Sequence, residues 1–414
     1  MALSINLLNP LLASSASTSD ALVTDPKTVE ALLFEILHLV RVSLGLEMAF
    51  ISEFTDGRRV FRHVDADERA LGILQVGGSD PLEEGYCQRV VDGRLPELIH
   101  NAADLAAARA MPVTTSLPVG AHLSVPIRFS DGHVYGTFCC FSRQPDSSLS
   151  ERDLNMLRTF AQVAGRLLEL TTTSTRMLAE KAKRIQTVLD SGDFSPVYQP
   201  IFKIADRTVV GYEALTRFQC APLRSPDQWF AEAAEVGMGH QLEYAAAQQA
   251  LAGLPHLPKG AYLSLNIAPE TLLTCKDLEL LLGGAPERLV LEVTEHSTIE
   301  DYDAIASVLA PLRKRGLRLA VDDAGAGYAS FRHILQLKPD IIKLDRSLIS
   351  GLNANRDQLA LAAALVSFAE KTGIKVVAEG VETPEELKAL QTLNVNKAQG
   401  YLLGRPTPLR DITG

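Results

Sequence analysis

Residues 317–323 read Leu-Arg-Leu-Ala-Val-Asp-Asp, a short apolar run that ends in two adjacent carboxylates. A run of that length, bounded by turn residues, predicts a buried strand. The pattern repeats on both sides. Upstream lie candidate strands at 196–201, 209–215, 262–267 and 289–294, and downstream at 341–345, 375–379 and 398–403, with amphipathic helical stretches between them. Strands alternating with helices predict βα units and a parallel sheet. Eight strands in about 220 residues point to an α/β fold, a (β/α)8 TIM-like barrel.

Such barrels carry their active sites at the C-terminal mouth, so polar residues at the ends of apolar strands are the ones to read as functional. Glu213 ends the second strand, Asn266 the third, Glu292 and Glu295 the fourth, Asp322 and Asp323 the fifth, Lys343 and Asp345 the sixth and Glu379 the seventh, while Gln399 lies on the eighth. Any one of these could be a helix cap or a structural residue. Their repetition on successive strands is what argues for a site. Carboxylates converging on one mouth repel each other and need a counter-charge. An all-oxygen set with one Asn amide suits Mg2+ or Mn2+, and the absence of Cys and His at the strand ends disfavours zinc. The adjacent pair Asp322 and Asp323 can serve two ions, and two ions favour hydrolysis of a phosphate ester, since they lower a water's pKa and stabilise charge on the attacking and leaving oxygens. Lys343 supplies positive charge near the reacting water or phosphate, and Arg217 a fork for phosphate; either could instead be an ordinary surface cation.

The rest of the composition sets bounds. At 414 residues, 46% of them hydrophobic and 22% charged, the chain has material for two cores. A formal net charge of -10 argues against the broad attraction that nucleic-acid binders use, so no nucleic-acid polymer is expected as a partner. Five cysteines without a C-x-x-C pair argue against a disulfide framework or thiolate metal site and fit a reduced, cytoplasmic setting. No run approaches the roughly 20 apolar residues of a membrane span. Residues 1–25 form a poor signal peptide, without basic residues at their start, and read as a flexible or docking segment.

Over 28–46 apolar residues recur at helical spacing. Strand-like segments at 49–54 and 59–64 flank Thr55-Asp56-Gly57, and a second pair at 122–129 and 133–141 flanks Ser130-Asp131-Gly132, giving two hairpins in an α+β sensor-like module. Ser150 opens a long helix with Asp153 as its capping partner. Leu154, Leu157, Ala161, Ala164, Leu168, Thr171, Thr175, Leu178, Ala182, Ile185 and Leu189 then follow a heptad seam. The seam predicts a parallel two-stranded linker in a homodimer; the alternative is a helix packed on its own domains. The organisation expected is a flexible segment at 1–25, a sensor at 26–150, a helical linker at 151–192 and a catalytic domain at 193–414. Cys87, His100 and His122 invite a chromophore, haem or metal in the sensor, though plain packing is the commoner fate of such residues.

The N-terminal pattern resembles a GAF domain over 28–170, with Gly85-Tyr86-Cys87-Gln88-Arg89-Val90 similar to a short helix midway through that family; a PAS-like module is the competing assignment. Over 193–408 the chain resembles the EAL family of cyclic di-GMP phosphodiesterases. The matching motifs, in family order, are Gln199-Pro200-Ile201, Glu213-Ala214-Leu215 with Arg217, Ser264-Leu265-Asn266, Glu292-Val293-Thr294-Glu295, Asp322-Asp323, Lys343-Leu344-Asp345, Ala378-Glu379-Gly380-Val381-Glu382-Thr383 and Gln399-Gly400-Tyr401. The resemblance implies that Glu213, Asn266, Glu292, Asp322, Asp323 and Glu379 hold two Mg2+ or Mn2+ ions. By the same resemblance Lys343 orients the water, Glu295, Glu382 and Gln399 support the site, and Gln199, Leu215 and Arg217 contact the nucleotide. The implied reaction opens cyclic di-GMP to linear pGpG under control of an unknown small-molecule or protein input at the GAF-like domain. Ala324, Ala326 and Ala329 stand where the family usually has Phe, Thr and Ser, and Asn396 where an Asp is common. That trimmed loop leaves open a second reading, a non-catalytic cyclic di-GMP receptor.

Overall fold

The computed structural model describes residues 26–275, 277–293, 299, 301–324 and 329–413, so the expected flexible segment 1–25 lies outside the described residues. The chain divides into two compact units between Leu178 and Ala179.

In the first unit β1 (Met48–Thr55) and β2 (Arg58–Ala66) form the expected hairpin. Asp56 and Gly57 both take positive φ, 50° and 71°, the conformation that a two-residue turn needs to match strand twist. With β3 (Ser79–Pro81), β4 (Leu98–Ile99), β5 (His122–Arg128) and β6 (Val134–Phe141) they build an antiparallel sheet in the order β3-β2-β1-β6-β5-β4. Successive residues on a strand face opposite sides. Ile51, Phe138 and Cys140 therefore pack on the helices Pro26–Leu44 and Glu151–Ser191, while Phe50, Cys139 and Phe141 pack on the other face with Cys87. Asp153 accepts the Ser150 N–H at 2.8 Å, as a capping partner should.

The long helix explains its own periodicity differently from a bare seam. Leu154, Leu157, Ala161, Ala164 and Leu168 are buried in the core of the first unit, and Ile185 with Val188 in a cluster of the second around Trp229 and Leu242. Leu178, between them, is exposed. The apolar stripe is thus already occupied within the chain at both ends.

The second unit is a closed barrel of β7 (Phe194–Lys203), β8 (Val209–Phe218), β9 (Tyr262–Asn266), β10 (Leu289–Val293), β11 (Arg318–Ala324), β12 (Ile341–Leu344), β13 (Lys375–Ala378) and β14 (Lys397–Ala398). It departs from an all-parallel barrel at one place, because β7 runs antiparallel to both β14 and β8. The link between β7 and β8 is only residues 204–208, closed by Asp206 accepting from Thr208, and a parallel crossover needs a dozen residues or more. β8 continues past Glu213 to Phe218, so Glu213 is mid-strand, and Arg217 is on the strand instead of beyond it. The eighth strand is two residues long, not the six expected at 398–403, and Gln399 follows its end.

Inside the barrel Ile201, Tyr262, Val290, Ala320, Ile341 and Val377 fill one layer. Gly211 makes room for the Tyr262 ring: a Cβ at 211 would lie 2.5 Å from Cζ. Arg318 and Lys397 flank that ring at 4.6 and 4.7 Å. Gly211→Ala should therefore destabilise the barrel by about 1–3 kcal/mol, the usual cost of overpacking. Trp229, the protein's one tryptophan, is in this unit, so a lower urea midpoint by its fluorescence is the expected result. An unchanged midpoint would mean the ring moves freely, against this account.

Candidate metal centre

Strand register assembles the site. Gln199 pairs with Glu213 across β7 and β8, Glu213 with Ser264 across β8 and β9, and Asn266 with Glu292 across β9 and β10. With a side-chain period of two, Glu213 and Leu215 share a face, as do Ser264 and Asn266. Glu379 follows β13, its N–H donating to the Leu344 carbonyl at 3.0 Å.

Asp322 and Asp323 pose a geometric problem, since neighbours on a regular strand point to opposite faces. A bulge resolves it. The β11–β12 register shifts between Val321 and Ala324, and Asp323 sits at φ 56°. Such an irregularity re-aims a side chain, and Asp tolerates the left-handed region better than most residues. Both carboxylates join one cluster as a result. Two groups of oxygens converge within 4.8 Å, one from Glu213, Glu292 and Asp322 and one from Asp322, Asp323 and Glu379. Asp322 belongs to both.

At the centre is the fully buried Lys343. Its Nζ lies 2.7 Å from Glu292, 2.7 Å from Glu379, 3.2 Å from Asp322 and 3.6 Å from Glu213. One ammonium faces four carboxylates, so charge is left uncompensated. Burial, with the repulsion of the neighbouring acids, pushes Glu292 up to about 8 and Glu379 well above the usual carboxylate range. Glu213 is held below it: burial opposes ionisation, but Lys343 and the hydrogen bonds from Gln399 and Asn266 outweigh that. Although burial opposes its charge, Lys343 is kept well above the ordinary lysine value by the same acids. An acid-rich, oxygen-only pocket with surplus negative charge fits hard divalent cations.

The flanking polar groups hold these acids in place. Gln399 Nε2 donates to Glu213 at 2.6 Å and to Gln199 at 3.0 Å, and Gln199 donates to the Gly404 carbonyl at 3.2 Å. Asn266 Nδ2 donates to Glu213 at 3.2 Å. The Ser264 hydroxyl donates to Glu292. Leu215 lines two adjoining clefts. One, of about 230 Å³, adds Gln199, Glu213, Glu379, Glu382, Gln399 and Arg346; the other, of about 420 Å³, adds Arg217, Asn266, Asp227, Phe230 and Glu243. Glu382 is exposed and ion-paired to Arg346 at 2.9 Å. Glu295 lies outside the described residues.

Asp345 does not join the cluster. Its carboxylate accepts the Ser347 N–H at 2.8 Å and caps the helix Arg346–Ile349, the structural role open to any strand-end Asp. Sequence reasoning gave no role to Ser264, although it quoted it beside Asn266, and missed Arg346 and Glu243. Ser264 was within reach, two residues before Asn266 on the same face; the other two follow no strand pattern. In the first unit His100 Nε2 lies 2.9 Å from the Leu149 carbonyl oxygen, and His122 is buried against the Tyr86 ring. Among the described residues, the acid clusters able to hold a metal are all in the barrel.

Residues 26–169 match the GAF domain family and residues 182–406 the EAL domain family. The chain is 34% identical over 224 residues to the cyclic di-GMP phosphodiesterase NbdA of Pseudomonas aeruginosa, covering 51% of this chain and 29% of that protein. It is 29% identical over 236 residues to the cyclic di-GMP phosphodiesterase PdeL of Escherichia coli, covering 54% and 65%. The chain thus spans less than a third of NbdA and about two thirds of PdeL. Among solved structures it resembles the PaMucR phosphodiesterase in its c-di-GMP complex, with 28% identity, a TM-score of 0.51, and coverage of 56% of this chain and 99% of that one. With more than half its length matched, and the barrel mouth carrying the residues described above, the chain belongs to the EAL domain family.

Proposed function

We propose that this chain hydrolyses cyclic di-GMP to linear pGpG with two Mg2+ or Mn2+ ions, in the cytoplasm, as a homodimer whose GAF domain receives a small-molecule or protein input. The observation that carries this reading is the pair of carboxylate groups sharing Asp322, open to clefts that meet at Leu215. The names of the relatives support the substrate.

Glu213, Asn266, Glu292, Asp322, Asp323 and Glu379 would hold the metals. When bound, the ions acidify a water and stabilise charge on the attacking and leaving oxygens. Lys343 keeps its proton and hydrogen-bonds the attacking water. Gln399 and Ser264 fix Glu213 and Glu292 against rotation, Glu382 supports the mouth, and Gln199, Leu215 and Arg217 hold the nucleotide, Arg217 by a forked contact to phosphate.

No described helix is long and apolar enough to cross a membrane. The purified chain should release pGpG from cyclic di-GMP in Mg2+ or Mn2+ and lose that activity with a chelator or with Glu292→Gln. Tight binding without turnover in either metal would instead make it a receptor. Ser264→Ala, which frees Glu292, should weaken metal affinity by about 10- to 100-fold; equal affinity would remove Ser264 from the site.

Metal binding should also release protons. Burial lifts Glu292 to about 8, so it retains a proton at pH 6.5 that a cation must displace, and Glu379 is shifted in the same direction. Affinity should therefore climb with pH up to at least about 8. For the metal-free barrel the same upward shifts give stability that is present below the ordinary carboxylate pKa and falls as pH rises toward 8. Calorimetric Mg2+ titrations in two buffers of different ionisation enthalpy would read about one proton or more at pH 6.5. No buffer dependence would contradict the charge arrangement.

A further inference from the structure

On the face of the first unit's sheet that is turned away from the helix Pro26–Leu44, Cys139 of β6 meets Cys87 of the short helix Tyr86–Val91. Cys87 and Cys139, 52 residues apart, bring their Sγ atoms to 3.2 Å, and both are free and buried. Around them is a specific polar setting. Arg59 Nη1 donates to Cys87 Sγ at 3.0 Å, and its Nε donates to Asp80 at 3.0 Å. The Ser124 hydroxyl lies 2.9 Å and the Thr137 hydroxyl 3.2 Å from Cys139 Sγ. Gly85 is shaped for this arrangement, because a Cβ there would meet Arg59 Cζ at 2.9 Å. A guanidinium is an expensive group to bury, and here it lies against one sulfur of a pair. Its other partner, Asp80, is a third exposed, so the ion pair runs from the surface to the thiol.

We propose that Cys87 and Cys139 form a peroxide-reactive site, in which Cys87 attacks a hydroperoxide and Cys139 resolves the product into an intramolecular disulfide. Nothing in this depends on the hydrolytic centre of the barrel. In the first step the Cys87 thiolate attacks the distal oxygen of the hydroperoxide; the O–O bond breaks, a sulfenic acid forms, and the leaving alkoxide or hydroxide takes a proton from water. In the second the Cys139 sulfur attacks the sulfur of that sulfenic acid; its proton joins the departing hydroxide as water, and the S–S bond closes. Two thiols and one hydrogen peroxide become one disulfide and two waters, and an external dithiol reverses the change.

The two sulfurs are suited to different roles. Burial pushes the Cys87 thiol up, but the hydrogen bond with Cys139 and the Arg59 charge outweigh it and bring it down to about 5. Cys139, with burial and the neighbouring sulfur against it, stays protonated. A buried thiol is ordinarily inert, and an adjacent cation is what makes one reactive. Cys140 serves as the internal comparison: it is the next residue on the strand, on the opposite face among apolar side chains, and burial raises it.

The test uses the full reduced chain with a few equivalents of hydrogen peroxide. The thiol count should fall from five to three, with one dithiothreitol-reversible bridge mapped by mass spectrometry to Cys87 and Cys139. Cys139→Ser should stop at a sulfenic acid on Cys87 that dimedone captures, and Cys87→Ser should slow peroxide consumption at least about tenfold. The wild-type rate should be nearly flat from pH 6 to 8, whereas an unperturbed thiol gains about tenfold per pH unit in that range. Oxidation that falls first on the partly exposed Cys220 and Cys275 while Cys87 stays reduced would overturn the proposal, as would a tenfold-per-unit pH slope. Mapping on the unmutated protein separates these outcomes even if a variant fails to fold.

Discussion

The barrel mouth depends on one buried ammonium. Lys343 lies within ion-pair distance of Glu213, Glu292, Asp322 and Glu379, each from a different part of the barrel. At an effective dielectric of about 20, opposite charges 4 Å apart attract by about 4 kcal/mol, and like charges repel by as much. One ammonium therefore cannot hold four ionised acids together. The structure meets this by distributing charge unevenly, with Glu213 favoured as the anion and Glu292 and Glu379 favoured in their protonated forms. A pocket in that condition has unmet demand for positive charge, and oxygen ligands direct the demand toward hard cations.

Holding acids so close requires a scaffold that cannot relax. Here the barrel supplies it through register, and Glu213 and Glu292 are fixed further by neutral donors: Gln399 and Asn266 on Glu213, Ser264 on Glu292. The donors add no charge and so leave the surplus intact. The bulge at Asp322 and Asp323 is an irregular element in this frame, and it sits where two oxygen groups share a ligand. Backbone irregularity placed at a site and regular structure elsewhere is the expected division.

How legible this was depends on what each feature rests on. Strand-end acids could be read because a polar residue ending an apolar run breaks a local pattern, and Glu292, Lys343 and Glu379 all lie where that pattern put them. Direction could not, since periodicity is the same for either sense of a strand; only the short 204–208 link carried the antiparallel course of β7. The convergence of Asp322 and Asp323 rests on a positive φ at a non-glycine residue, which side-chain type does not announce. Asp345 misleads because capping and metal binding call for the same carboxylate. The heptad stripe, too, specifies an apolar face without naming its partner, and at both ends that partner is the chain itself.

The last turns of the long helix bear most directly on the site. Lys181 pairs with Glu235 at 2.6 Å and Arg184 with Glu232 at 2.7 Å, while Ile185 and Val188 pack on Trp229 and Ala233. All four of those partners lie on the helix Pro226–Glu235. Burial opposes the ionisation of Glu232, yet Arg224 and Arg184 together hold it down at about 2, so the clamp stays ionised through the physiological range. Asp227 and Phe230, on the same helix, line the larger cleft beside Leu215 and Arg217. Close packing transmits strain, so a displacement at one end of this ten-residue helix is felt at the other. The wall of that cleft and the end of the long helix are thus joined by two ion pairs and a shared apolar contact.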